Sequence, residues 1–478
     1  MRNNIVRRLT TGCLAAAAVC LVAITGAPAA AQTQLWTRQA GTPVNDQGYG
    51  VAVDAAGNAH VSGYTNGSLG GTNLGGYDYF VAKYDASGAL LWSRQGGTAS
   101  DENGYGVAVD GAGNVYVGGY SGGSLAAPNA GSNDIILAKY DSSGGLLWTR
   151  QSGTAGTDQG YGVAADNAGN AYVTGYSTGS LGAPNAGGFD AVLLKYDASG
   201  TLLWTRQAGT DGTDLGLGVG VDIGGNVYFG GYTGGALGGP SAGGLDAYVI
   251  KYNASGTLVW SRQTGSDSTD IGLNLAVTAA GHAHIAGYTF GDMGGPHAGG
   301  GDPFIARYDE SGVLLWTRQP GTAAADQAYG VAVDGAGNAY LAGFTEGDFA
   351  GPNAGSYDAF LAKYNASGTS LWTRQTGTSA EDRGIGVGVQ PSGAAYITGP
   401  TSGSFGGPNA GSADVYLAKF GVDCYADCNA SGSLTVADFG CFQGKYVLGD
   451  LYADCNASGT LTVADFGCFQ GKYVLGCP

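Results

Sequence analysis

Through most of the chain, short apolar-alternating runs are divided by polar, glycine-rich turns, and the pattern returns with a fixed period. In its first complete occurrence Tyr49–Asp54 (YGVAVD) alternates and a tight Ala55-Ala56-Gly57-Asn58 turn follows. Ala59–Thr65 (AHVSGYT) returns, a long loop leads to Asp78–Tyr84 (DYFVAKY), and Asp85-Ala86-Ser87-Gly88 turns into Ala89–Gln95 (ALLWSRQ). Alternation with period two between Gly/Asn/Asp turns predicts strands. Four in succession predict an antiparallel meander.

All seven Trp fall at 36, 92, 148, 204, 260, 316 and 372, each gap being 56 residues. Arg38 and Asp78 start series with the same spacing. Seven copies of a four-stranded meander predict an all-β, seven-bladed propeller over 32–421. The array begins with a lone Trp strand, Gln34–Gln39, and ends on a third strand, Asp414–Phe420, with no Trp strand after it. The N-terminal strand is therefore expected to complete the last blade, leaving no bare edge at the seam.

Composition agrees. Gly and Pro, 92 and 13 of 478 residues, are about 22% of the chain against an average nearer 12%. Each interior Gly costs a helix about 1 kcal/mol, and the Gly lacks the three-residue period of collagen. Aromatics at 10% exclude a disordered tract. The repeated Gly-Tyr-Gly-Val-Ala-Val-Asp, Ala-Gly-Asn and Lys-Tyr-Asp-Ala-Ser-Gly motifs resemble the SBBP family of seven-bladed β-propeller repeats. That resemblance implies the fold and no activity.

The tight turns are expected on one rim and the long loops, about 40–48 and 66–77 in the first copy, on the other, where binding usually resides. Two acidic series approach the long-loop rim. Asp46, Glu102, Asp158, Asp214, Asp270, Asp326 and Asp382 open the first strand of each blade; Asp78, Asp134, Asp190, Asp246, Asp302, Asp358 and Asp414 open the third. They read either as a carboxylate funnel for cations or as acceptors for backbone N–H groups in turns, and the second is expected of a residue used by every blade. Tyr49, Tyr105, Tyr161 and Tyr329, and Tyr64, Tyr120, Tyr176, Tyr232, Tyr288 and Phe344, read as rings for sugars or, as expected here, filling between blades. The four His (60, 282, 284, 297) make no metal-site spacing. No non-repeated catalytic set is visible, so no enzyme is expected.

Residues 1–31 order as a secretory signal: a basic start with Arg2, Arg7 and Arg8, the apolar run CLAAAAVCLVAITG, and small residues before a cut between Ala31 and Gln32. The apolar run is shorter than the ~20 residues of a membrane span. Export to the medium or cell surface is expected. Formal charge is −17, and loss of the signal makes it more negative. Such a polyanion disfavours nucleic acid and anionic lipid and leaves cations or neutral sugars as ligands.

At 422–478 the composition changes. Two copies with a 27-residue period open with D-x-N-x-S-G and place Asp at position 12. Asp427, Asn429, Ser431, Ser433 and Asp438 form one loop; Asp454, Asn456, Ser458, Thr460 and Asp465 form the other. Hard oxygens at 1, 3, 5 and 12, with a backbone carbonyl at 7, suit calcium. Helices are expected at about Val436–Val447 and Val463–Val474. Cys424, Cys428, Cys441, Cys455, Cys468 and Cys477 crowd into this short segment and read as disulfides. The preferred pairing closes each copy on itself (428–441, 455–468) and ties the ends (424–477). The module resembles a dockerin of the cysteine-containing type ending Gly476-Cys477-Pro478, which implies a cohesin-like partner or a surface-anchoring role. The whole reads as an exported, non-enzymatic binding or structural platform; the rival is a carbohydrate-active enzyme or carbohydrate-binding component of a polysaccharide-degrading assembly.

Overall fold

The computed structural model describes residues 33–391, 393–421 and 436–448, and 462, 463, 466, 467, 469 and 470 beyond them. Residues 33–421 form seven four-stranded antiparallel sheets. Blade 1 holds β2 (Asp46–Val53), β3 (Ala59–Thr65), β4 (Asp78–Tyr84) and β5 (Leu90–Gly96). Strands β6 to β25 repeat this order through blades 2 to 6, between Glu102 and Thr376. Blade 7 holds β26 (Gly386–Val389), β27 (Ala395–Thr401) and β28 (Asp414–Gly421). Its fourth strand is β1 (Thr33–Ala40), paired antiparallel to β28 from Thr33↔Gly421 to Ala40↔Val415. The ring is closed by its N-terminal strand, as the odd ends of the array foretold.

First strands stand innermost, each beside the first strand of the next blade, and Trp strands stand outermost. The inner strands run so close that a Cβ on Gly50 would lie 2.7 Å from the Tyr105 carbonyl oxygen. This is why the position is Gly in six of seven blades. First strands begin at Asp46, three residues before the alternation does. A bulge between Gly48 and Gly50 breaks the regular pairing there.

The core lies between successive blades. Tyr79 and Val81 of blade 1 pack with Val115, Val117, Ile136 and Ala138 of blade 2. At the seam, Tyr396, Val415 and Leu417 of blade 7 join Val51, Val61 and Phe80 of blade 1. Third strands are buried along their whole length, while outer strands expose pairs such as Leu90 and Leu91.

Beyond the propeller, α1 (Val436–Leu448) occupies the span expected for the first helix of the tandem module. Residues 463, 466, 467, 469 and 470 are helical as well. Phe442 and Phe469, equivalent positions of the two copies, stack at 4.0 Å and 14°. Phe439 meets Phe466 edge-on at 5.3 Å. The two copies thus pack through like aromatic faces.

Candidate functional site

The two rims differ in what their side chains do. On the tight-turn rim blades grip their neighbours. Trp92 Nε1 donates to the Ser142 carbonyl of the next blade's turn at 3.2 Å, Arg94 Nε to Gly144 O at 2.7 Å and Lys83 Nζ to Ser142 O at 3.4 Å. At the seam Trp36, Arg38 and Lys419 do the same to Ala86 and Gly88. The receiving turn is braced by Asp85, whose Oδ1 accepts the Ser87 and Ala89 N–H groups at 2.9 Å. Gly88 closes it at φ 83°, the left-handed region that favours glycine. Trp, Arg, Lys and Asp-x-Ser-Gly therefore repeat as one inter-blade clamp.

A second tie runs from Tyr116, whose hydroxyl donates to Asp110 at 3.0 Å and to Gly169 O of blade 3 at 2.9 Å. His60 and His284 replace this Tyr in blades 1 and 5. Both are fully buried, and neither imidazole has a hydrogen-bond partner. Burial, reinforced by Lys83, pulls His60 down to about 4; burial, reinforced by Arg307, pulls His284 down to about 3. They are neutral core residues.

The acidic series of the long-loop rim are buried. Asp46 Oδ2 accepts Thr42 N and Oγ1 at 2.6 and 2.8 Å. Asp78 Oδ2 accepts Leu74 N at 3.0 Å and Gln95 Nε2 at 2.9 Å. These contacts belong to the turn-acceptor reading, and no solvent-lined carboxylate funnel is formed.

The aromatic series are where the structure corrects the sequence reading. Tyr49, Tyr105, Tyr161 and Tyr329 do not fill space between blades; they line an axial cavity of about 580 Å³, a volume within the range of small-molecule sites. Tyr232 and Tyr288 of the second series line it too. Tyr105 and Tyr161 stack at 4.7 Å and 3°, and Tyr49 meets Tyr105 edge-on at 4.9 Å. Each Tyr has an amide two residues earlier. Tyr49, Tyr161 and Tyr329 donate to Gln47, Gln159 and Gln327 at 3.1, 3.1 and 3.0 Å, and Asn103 donates to Tyr105 at 3.1 Å. Burial raises the Tyr105, Tyr161 and Tyr329 phenols, the last to about 12, so they are neutral hydroxyls.

On blades 4 and 5 the same two positions are Leu215 and Leu217, and Ile271 and Leu273, all on the cavity wall. The floor is Val51 and its equivalents, with Leu275 in blade 5. Asn274 breaks the inner Gly series, and it too faces the cavity. Its Oδ1 accepts Leu275 N at 2.7 Å, which leaves its amide nitrogen as the donor for a ligand. The cavity thus has a Tyr wall, an aliphatic wall, the amide of Asn274 and no charged lining residue. Its asymmetry was legible as a gap in the Tyr49 series at 217, 273 and 385, a signal that the repeat-based reading passed over.

One charged cluster on the long-loop rim occurs once. Arg383 takes the place of the amide in blade 7. Its guanidinium lies 4.5 Å from the Tyr357 ring centre and 5.2 Å from Phe344, and 3.5 Å from the Glu381 carboxylate. Burial and a hydrogen bond to Glu346 raise the Tyr357 phenol.

Asp427, Asn429, Ser431, Ser433, Asp454, Asn456, Ser458, Thr460 and Asp465 lie outside the described residues. Asp438 is described only as part of α1. Cys441 is disulfide-bonded; Cys424, Cys428, Cys455, Cys468 and Cys477 lie outside the described residues, and with them the pairing. Residues 1–31 are outside as well. Among the described residues, no group of three or more His, Cys, Asp or Glu could hold a metal ion, and no helix is long and apolar enough to cross a membrane.

Four stretches, 35–70, 91–126, 147–182 and 315–350, match the SBBP family, described as "Beta-propeller repeat". The chain is a β-propeller, and four of its copies match the SBBP repeat. Among curated proteins it is similar to "Regulatory protein FlaEY" of Caulobacter vibrioides, 28% identical over 230 residues. That match spans 44% of this chain and 24% of the relative. Among solved structures, the WD40 β-propeller domain of Doa1 is 10% identical with a TM-score of 0.46, over 82% of this chain and 97% of that one. Polysaccharide lyase Uly1 is 12% identical at 0.45, over 79% and 90%, and YCF48 bound to D1 peptide is 10% identical at 0.43, over 83% and 100%.

Proposed function

We propose that the propeller is an exported, non-catalytic binding platform whose ligand enters the axial cavity from the long-loop rim, and that the 422–478 module docks or anchors it with calcium. The observation that carries this is where the repeat fails. Blades alike in clamp, turns and core differ on the cavity wall, where Tyr with Gln or Asn gives way to Leu and Ile. A site shared by all seven blades serves the fold, whereas departures gathered on one concave surface serve a ligand. Tyr faces and the Asn274 amide beside an uncharged aliphatic wall suit a neutral sugar, whose C–H face stacks and whose hydroxyls accept and donate hydrogen bonds.

The test is calorimetry of the whole chain against neutral and uronic-acid oligosaccharides, repeated with Tyr105→Ala. A neutral sugar should bind, at least tenfold more weakly to the variant, with Tm held within about 2 °C. Failure of every sugar to bind, or equal affinity in the variant, rejects the reading. Chelation should abolish docking to a cohesin-like partner and leave sugar binding intact.

A second reading, carbohydrate-active enzyme, draws on Glu346, Glu381 and Arg383, two acids and a cation that gather on the long-loop rim without repeating. Turnover of a bound glycan, lost in Glu381→Gln, would establish it.

A further inference from the structure

The buried acids of the long-loop rim approach one another across blade boundaries. Glycine follows the Trp strand in every copy, at 41, 97, 153, 209, 265, 321 and 377. A Cβ at any of these would lie 2.0 to 2.3 Å from Oδ1 of a third-strand Asp. At Gly97 the same point is 2.0 Å from Asp78 Oδ1 and 3.0 Å from Glu102 Oε2; at Gly265 it is 2.1 Å from Asp246 Oδ1 and 2.9 Å from Asp270 Oδ2. The absent side chain is what lets two carboxyls close on one another.

Each third-strand Asp is at most 1% exposed. Its Oδ2 is satisfied by a backbone N–H and a Gln amide, as at Asp78 and Gln95. Its Oδ1 has no partner in any of the seven blades: Asp78, Asp134, Asp190, Asp246, Asp302, Asp358 and Asp414. The facing acid is fully buried too, and in blade 2 it is held by Thr98 N and Oγ1 and by Ser121 Oγ. Tyr79 packs beside this pair, its hydroxyl bonded to Tyr140 at 3.0 Å. Asp46 stands in the same cross-strand row as Asp78, through Thr65, and belongs to the next such pair. Among the described residues, the ion pair that reaches these carboxyls comes from His297 Nδ1, 3.4 Å from Asp302.

Two ionised carboxylates buried this close, with one lone pair unserved, are a strongly unfavourable arrangement. A proton on that oxygen answers both defects, since it removes one charge and makes a donor. A calcium ion needs six to eight oxygens, whereas five sites leave one acceptor unserved and the Asp134–Asp158 and Asp302–Asp326 sites leave two. We propose that each blade boundary holds one buried proton, carried on Oδ1 of the third-strand Asp and donated to the first-strand Asp or Glu of the next blade. Asp326 and Asp382 are raised above the ordinary carboxyl value by burial, with Asp302 and Asp358 contributing, the direction a shared proton requires. The device makes seven boundaries alike and leaves the folded rim less negative than its formal count.

The proton inventory of unfolding tests this on the full chain in chelator. Denaturing at pH 7 should release about seven protons, one for each unserved third-strand Oδ1, because exposed carboxyls ionise. Asp246→Asn puts a permanent N–H donor on the same site, so it should release one proton fewer and melt about 5 °C higher at pH 8, with little change at pH 4. An infrared band of protonated carboxyl at pH 7, weaker in the variant, is the second readout and needs no unfolding. Release of no protons, or an Asp246→Asn loss of stability equal at pH 4 and 8, overturns the proposal. So does a calcium stoichiometry that falls by one in the variant, which would put a cation in the proton's place.

Discussion

The tight-turn rim and the axial cavity are built from the same seven repeats and have diverged in opposite ways. On the rim the Trp, Arg and Lys donors reach the next blade's turn with nearly the same distances in blade after blade. On the cavity wall adjacent blades offer Tyr161, held by Gln159, then Leu217 with Leu215. Sameness from blade to blade marks what the ring needs to stay closed. Departure in three of the seven blades marks a place where one surface, not one blade, has a task. A repeat protein thus separates structural from functional residues without any comparison to relatives.

The largest effect should come from breaking the ring. Deleting 33–40 removes Trp36 and leaves β28 as a bare edge, so the chain should lose several kcal/mol and Tm should fall by more than 5 °C in calorimetry. An unchanged Tm would detach β1 from the closure. Next is the clamp. Trp92→Ala removes a large packed ring and the bond to Ser142, and a loss of about 2–4 kcal/mol in denaturant titration is expected, with sugar affinity untouched. A fall in affinity larger than the fall in folded fraction would show that rim and cavity are not separate.

The buried histidines sharpen the same contrast from the weak side of the rim. With His60 and His284 lowered to about 4 and about 3, the unfolded chain takes up protons first as pH falls from 6.5. Their contribution is complete above pH 6.5 and drains as pH falls toward those values, by at most about 3 kcal/mol for His60 and about 5 kcal/mol for His284. His60→Tyr with His284→Tyr restores the inter-blade hydroxyl. It should raise Tm slightly at pH 7 and widen its margin over the wild type between pH 6 and 4. A margin independent of pH would mean that the imidazoles are not titrating in the core. The smallest effect on stability belongs to the cavity, where Tyr105→Ala should cost binding and little else.

Much of this could be read from sequence because the blade is local: alternation, turn glycines and the 56-residue spacing of Trp fix four strands, and the odd ends fix the seam. The Tyr49 series was misassigned for a physical reason. Alternation says which residues share a face but not whether that face meets a neighbouring blade or the axis, and the bulge between Gly48 and Gly50 resets the regular pairing at Tyr49. Tyr116, one strand outward, has the inter-blade position expected of Tyr49. The carboxyl pairs were hidden as well, since Asp78 and Glu102 lie 24 residues apart and meet only when Gly97 lets the two blades close.

The central claim is that departures from the repeat make the binding site. Leu215→Gln with Leu217→Tyr writes the blade 3 pair into blade 4 and fills the aliphatic side of the cavity. Calorimetry with the neutral oligosaccharide bound by the wild type should then show affinity lost by tenfold or more, while Tm stays within about 2 °C because the substituted pair already fits its neighbours in blade 3. Undiminished binding by this more perfectly repeated propeller would contradict the account.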